Sequence, residues 1–141
     1  MNYNDNMKKE YVTYKKILTE LNIHFVFCTK FRRKIFKTMK GAEECFRNAA
    51  LAEFENLGVT PIEIKCKDEY VHIYAQCPPS ISTSKILTSV KRTTSAALKD
   101  EILKLGEHAS VWTWDALVAT DATFEESDIE KYVAMQKTRM S

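Results

Sequence analysis

The chain has 141 residues, 45% apolar content, three glycines, three prolines and a net charge of +2. This length suits one domain with its own core, and the composition excludes a disordered or collagen-like chain. The longest apolar runs are too short to span a bilayer as a helix, and the polar N-terminus carries no secretory signal pattern, so a cytoplasmic domain without a membrane partner is expected. Four cysteines without a C-x-x-C pair are expected as free thiols.

Residues 1–20 form an N-terminal extension in this reading. Residues 22–29 are rich in aromatic and branched side chains and predict a first strand. The next segment, residues 30–40, holds six basic residues and no acidic one, and is expected as a loop. Its Lys30, Arg32, Arg33, Lys34 and Lys37 are candidates for holding a phosphate backbone, with Phe31 and Phe36 able to stack on unpaired bases. A helix follows over residues 41–57, with Gly58 as its stop signal. A strand over residues 59–66 leads to a hairpin partner over residues 70–77.

That partner alternates. Tyr70, His72, Tyr74 and Gln76 share one face, and Val71, Ile73, Ala75 and Cys77 share the other, which suits a core beneath helices. Pro78 and Pro79 end it. Ser82 and Ser84 then introduce a long helix to about Leu105, with Lys85, Arg92 and Lys99 as an exposed basic row. Gly106 and His108 close that helix, and residues 111–120 read as a fourth strand, with Trp112 and Trp114 on one face. His24 and His108 carry no assigned role.

The order strand, helix, strand, strand, helix, strand is the ferredoxin-like split β-α-β order: an α+β domain with a four-stranded antiparallel sheet and two packing helices. A final helix, residues 125–138, is expected to start near Thr123 with a capping box to Glu126. It places Tyr132 and Gln136 one turn apart on one face. The whole chain, residues 1–141, is read as a single domain.

Four pieces of sequence occur together: the strand from His24 with its basic sequel, the Tyr70-Val71-His72 triplet before a proline turn and Ser82-to-Ile86 helix start, the Trp112-to-Thr120 stretch, and Lys131-Tyr132-Val133-Ala134-Met135-Gln136. In this order they resemble the single-tyrosine HUH transposases of small bacterial insertion sequences, with Tyr70 at the position of the first histidine. The resemblance implies Tyr132 as nucleophile, and His72 and Gln136 as ligands of Mg2+ or Mn2+. It implies cleavage and rejoining of single-stranded or hairpin DNA through a 5′-phosphotyrosine intermediate during transposition, by a homodimer. Tyr70 implies weakened or lost catalysis, because a neutral phenol is a poor magnesium ligand. The alternative is a domesticated, inactive descendant that binds DNA hairpins as a repressor or structural protein. Lys85 and Arg92 join the basic segment as expected DNA contacts.

Overall fold

The strand Asn22–Cys28 lies at the centre of the structure, and its sequence shows why. Ile23, Phe25 and Phe27 alternate with His24, Val26 and Cys28, and all six are buried, so the strand needs cover on both faces. The structure is a computed structural model that describes residues 11–104 and 110–140, with side chains to Gln136. In chain order it contains β1 (Val12–Tyr14), β2 (Ile17–Thr19), β3 (Asn22–Cys28), a 3-10 turn (Lys30–Arg32), α1 (Ile35–Thr38), α2 (Ala42–Leu57) and β4 (Thr60–Lys67). Then come β5 (Tyr70–Gln76), α3 (Thr83–Leu98), a π turn (Lys99–Leu103), β6 (Leu117–Thr120) and α4 (Glu126–Met140).

Strands β4, β5, β3 and β6 make one antiparallel sheet in that order, which is the ferredoxin-like arrangement. Pro61 is tolerated because β4 is an edge strand, and the register shifts between Pro61 and Glu63. One face carries the main core: Phe25, Phe27, Val71 and Ile73 of the sheet meet Phe46, Ala50 and Phe54 of α2 and Ile86, Val90 and Leu98 of α3. Each of these large side chains contributes about 1.5–3 kcal/mol by leaving water.

Local signals set the helix ends. Gly58 adopts the left-handed conformation at φ 73, and the N–H of Val59 reaches back 2.9 Å to the Phe54 carbonyl, closing α2. The Ser82 hydroxyl accepts the Lys85 N–H at 3.1 Å to open α3. The long helix expected to Leu105 instead ends as α3 at Leu98 and loosens into the π turn, with Lys104 left-handed at φ 54. The expected stop at Gly106 and His108 lies outside the described residues. Helix α4 begins at Glu126, not near Thr123: the Asp128 carboxylate accepts the Glu125 N–H at 2.9 Å, so Asp128 makes the reciprocal half of the box.

The last strand is shorter than expected. The Thr113 N–H still donates to the Cys28 carbonyl of β3 at 3.0 Å, and residues 114–116 then leave the sheet where the Lys91 ammonium takes the carbonyls of Thr113 at 2.6 Å and Asp115 at 3.1 Å. Trp112 stays as a single bridge to Thr29 and buries its ring, with the indole N–H donating to Thr94 at 3.1 Å. Trp114 turns outward and is 96% exposed, so the two tryptophans do not share a face.

Candidate functional site

The sheet face opposite α2 and α3 is covered by α4, whose Ile129 and Tyr132 pack on Val26 and Cys28 of β3. Tyr70, Leu117, Phe124 and Val133 border that cluster. The alternation in β5 therefore works as expected: His72 and its neighbours on that face look toward α4, while Val71 and Ile73 serve the main core.

Tyr132 and Gln136 are both buried, and both reach the same carboxylate. The Tyr132 hydroxyl donates to Asp115 Oδ1 at 3.1 Å and the Gln136 amide nitrogen to Asp115 Oδ2 at 3.1 Å. Thr113 donates to the same Oδ1 at 3.1 Å. Asp115 sits in the segment that Lys91 pulls out of the sheet, so the irregular chain before β6 is what presents it. Burial, with the neighbouring Cys28 and Asp115, pushes the Tyr132 phenol well above the ordinary tyrosine range and keeps it protonated. The Cys28 thiol is itself pushed up to about 12, chiefly by burial.

His72 belongs to a second network. Its Nε2 lies 3.0 Å from Nδ1 of His24, whose Nε2 lies 2.7 Å from Asp121 Oδ1. Tyr74 donates to the other oxygen of Asp121. The His24 ring is stacked between Tyr74 and Phe124, with centroids at 4.2 and 3.9 Å. Burial, and then the facing His24, lower the His72 pKa, which favours the neutral ring. A carboxylate that receives the Nε2 proton of His24 leaves Nδ1 as the acceptor from His72, so Asp121 sets the tautomer of the pair. His24 thus joins the site, and so do Asp115 and Asp121, two carboxylates that no sequence motif marks.

Tyr70, at the position of the expected first histidine, is half-buried against the α4 cluster, and burial followed by Glu126 and Glu130 raises its pKa. It acts as a packing aromatic. His72 bonds to His24, Gln136 bonds to Asp115, and a neutral phenol stands at position 70, so these side chains do not fit a divalent cation in the way the resemblance implies. Among the described residues, no group of three or more His, Cys, Asp or Glu side chains is arranged to hold a metal ion.

The basic segment is more structured than a loop. Phe36 packs into the core, edge-on to Phe46 at 5.9 Å and stacked with Trp112 at 6.4 Å, so it is no base platform. Phe31 is 71% exposed and left-handed at φ 61, with the Lys30 ammonium 5.6 Å from its ring centre. Lys34 and Lys37 are exposed, as are Lys85 and Arg92 on α3. Arg33 is tied to backbone carbonyls of Lys30 at 3.3 Å and Ser110 at 3.2 Å, while Arg32 lies 3.9 Å from Glu69.

Comparison with known proteins is then decisive. A family model described as "Transposase IS200 like" matches residues 17–136. The chain belongs to that family. No curated protein sequence matches it significantly. A candidate transposase from Deinococcus radiodurans R1 superimposes with a TM-score of 0.76 at 15% identity, over 89% of this chain and 97% of that one. A REP-associated tyrosine transposase, solved bound to a REP hairpin, gives 0.56 at 14% identity, over 89% of this chain and 68% of that one. At these identities the likeness shows the fold. Among the described residues, no helix of this transposase-family chain is long and apolar enough to cross a membrane.

Proposed function

We propose that this protein binds single-stranded DNA folded into hairpins, as a homodimer, and that strand cleavage is lost or much weakened in it. The family match over residues 17–136 carries the DNA-binding reading. The similar tyrosine transposase bound to a REP hairpin agrees with it, and so do the exposed Phe31, Lys34 and Lys37. An aromatic ring beside ammonium groups suits an unpaired base and its phosphates.

The reading of weakened cleavage rests on Tyr70 in the place of a histidine and on Asp115 holding both Tyr132 and Gln136. Cleavage in this family reading would form a bond from the Tyr132 oxygen to phosphorus and break the bond to the 3′ oxygen, which leaves protonated. The ester conserves the bond energy for rejoining. With a histidine in place of Tyr70, a divalent cation, Mg2+ or Mn2+, would supply the charge that makes phosphate a better target. The retained pair of Tyr132 and Gln136 on α4 favours a second reading, a slow but active transposase. Residual cleavage would then separate an enzyme from a domesticated repressor or structural binder.

The binding reading is tested by salt titration with hairpin oligonucleotides. Lys34→Ala with Lys37→Ala should weaken binding and flatten the logarithmic salt dependence by up to about two, because each lost phosphate contact removes roughly 0.9 from the slope. Wild-type protein that binds no DNA at low salt would refute it.

A further inference from the structure

The hairpin of β1 and β2 forms a two-stranded sheet of its own, pairing Val12 with Thr19 and Tyr14 with Ile17. A ribbon this short is marginal in water by itself, yet it leaves Tyr11, Ile17 and Leu18 63%, 55% and 68% exposed. Its two-residue turn is Lys15-Lys16, and both residues are left-handed, at φ 48 and 72. Turns of this hand favour Asn-Gly, so two lysines hold a disfavoured conformation that sets both ammonium groups at the tip.

The surroundings of the tip are electropositive. Lys15 Nζ lies 5.4 Å from the centre of the Tyr14 ring, and the Ser80 side chain in the turn before α3, together with Lys15, holds the Tyr14 phenol below the ordinary tyrosine range. That turn leads into the Ser82 cap and the exposed Lys85 in the first turn of α3, where the helix N-terminus adds partial positive charge.

We propose that the β1–β2 ribbon is a binding site for the duplex stem of folded-back DNA. Lys15 and Lys16 contact its phosphates, and Leu18, on the ribbon face opposite buried Thr19, enters the groove. This inference rests on the DNA-binding reading and assigns the stem, not the unpaired bases, to this ribbon. A two-stranded ribbon fits the major groove, where apolar side chains meet thymine methyl groups. A second copy of the chain is a poorer occupant, because a two-fold contact sets a patch against itself and would oppose two lysine pairs.

The test compares affinity for a hairpin oligonucleotide with affinity for oligo-dT of equal length, using the full chain. Lys15→Ser with Lys16→Ser should weaken hairpin binding on the order of tenfold and lower its salt slope by about two, with oligo-dT binding unchanged. Leu18→Ser should weaken hairpin binding at an unchanged slope. Both variants should keep the wild-type melting temperature, because the main core lies elsewhere; a drop would make the ribbon a structural clamp and overturn the proposal. Unchanged hairpin affinity, or equal losses on both DNAs, in variants of a wild type that binds DNA would overturn the ribbon site alone. A lower mass by light scattering for Leu18→Ser would assign the patch to a second copy instead. A wild type that binds neither DNA would overturn both this inference and the reading beneath it.

Discussion

Charged side chains in one short segment divide into two kinds of work. Arg33 braces the chain between β3 and the stretch before β6 through the carbonyls of Lys30 and Ser110, while Lys34 and Lys37 point to water. Arg33→Ala should therefore lower the melting temperature by a few degrees, since a charged hydrogen bond is worth about 1.5–3 kcal/mol and this one is partly screened. Lys34→Ala with Lys37→Ala should leave it unchanged. Thermal denaturation of the two variants decides; equal melting temperatures would mean that Arg33 is free to meet DNA. The same scale shows what single residues could tell in advance. His24 alternates with Val26 and Cys28, and therefore shares a face with residues that α4 covers, which was a usable signal. Its partner His72 lies 48 positions away, and only the register of β3 with β5 brings the two rings together. Asp115 gave no signal, because its presentation depends on Lys91 of α3 pulling on the backbone.

Helix α4 is held to the sheet mainly through β3. It is amphipathic over a single turn repeat, buries Ile129, Tyr132 and Gln136 against the sheet, and gains its polar anchor from Asp115. Asp115→Ala removes both bonds at once and leaves the Tyr132 hydroxyl and the Gln136 amide without that acceptor. Backbone amides of α4 should then exchange with deuterium at least tenfold faster, while α2 and α3 keep their protection, because elements with few buried contacts open locally. Protection of α4 equal to wild type in hydrogen-exchange mass spectrometry would show that Asp115 does not anchor the helix. At this scale the alternation of residues 70–77 assigned both faces of β5, and the apolar spacing of residues 42–57 gave α2. Alternation continues through Trp112 and Trp114 and so extends the expected fourth strand too far, whereas a half-buried lysine on another element, Lys91, decides where the ladder stops.

For the molecule as a whole, the order of elements was enough to give the sheet, since split β-α-β units leave few ways to pair four strands. The sheet ends at β6, whose Val118 is 39% exposed, and an open edge of this kind invites pairing with a second copy. The expected species is a dimer: light scattering at micromolar concentration should give twice the chain mass, and Val118→Lys should shift it toward monomer. A monomer at every concentration would contradict this. The family was readable from four short pieces in the right order. Whether its chemistry survives was not, because that turns on where the Tyr132 and Gln136 side chains point rather than on their presence.

We propose that this chain keeps the fold of its family while strand cleavage in it is lost or much weakened, with Tyr70 where the resemblance calls for a histidine. The most direct measurement is covalent protein–DNA adduct formation with hairpin oligonucleotides taken from the DNA flanking its gene, in Mn2+, resolved on a denaturing gel. Wild-type protein should bind these hairpins and give little or no adduct. Tyr70→His restores a nitrogen donor two positions from His72 on the same strand face, so it should give an adduct that disappears in Tyr70→His with Tyr132→Phe. A wild-type adduct that forms as fast as that of Tyr70→His would contradict the account and make this chain an active transposase that needs no histidine at position 70.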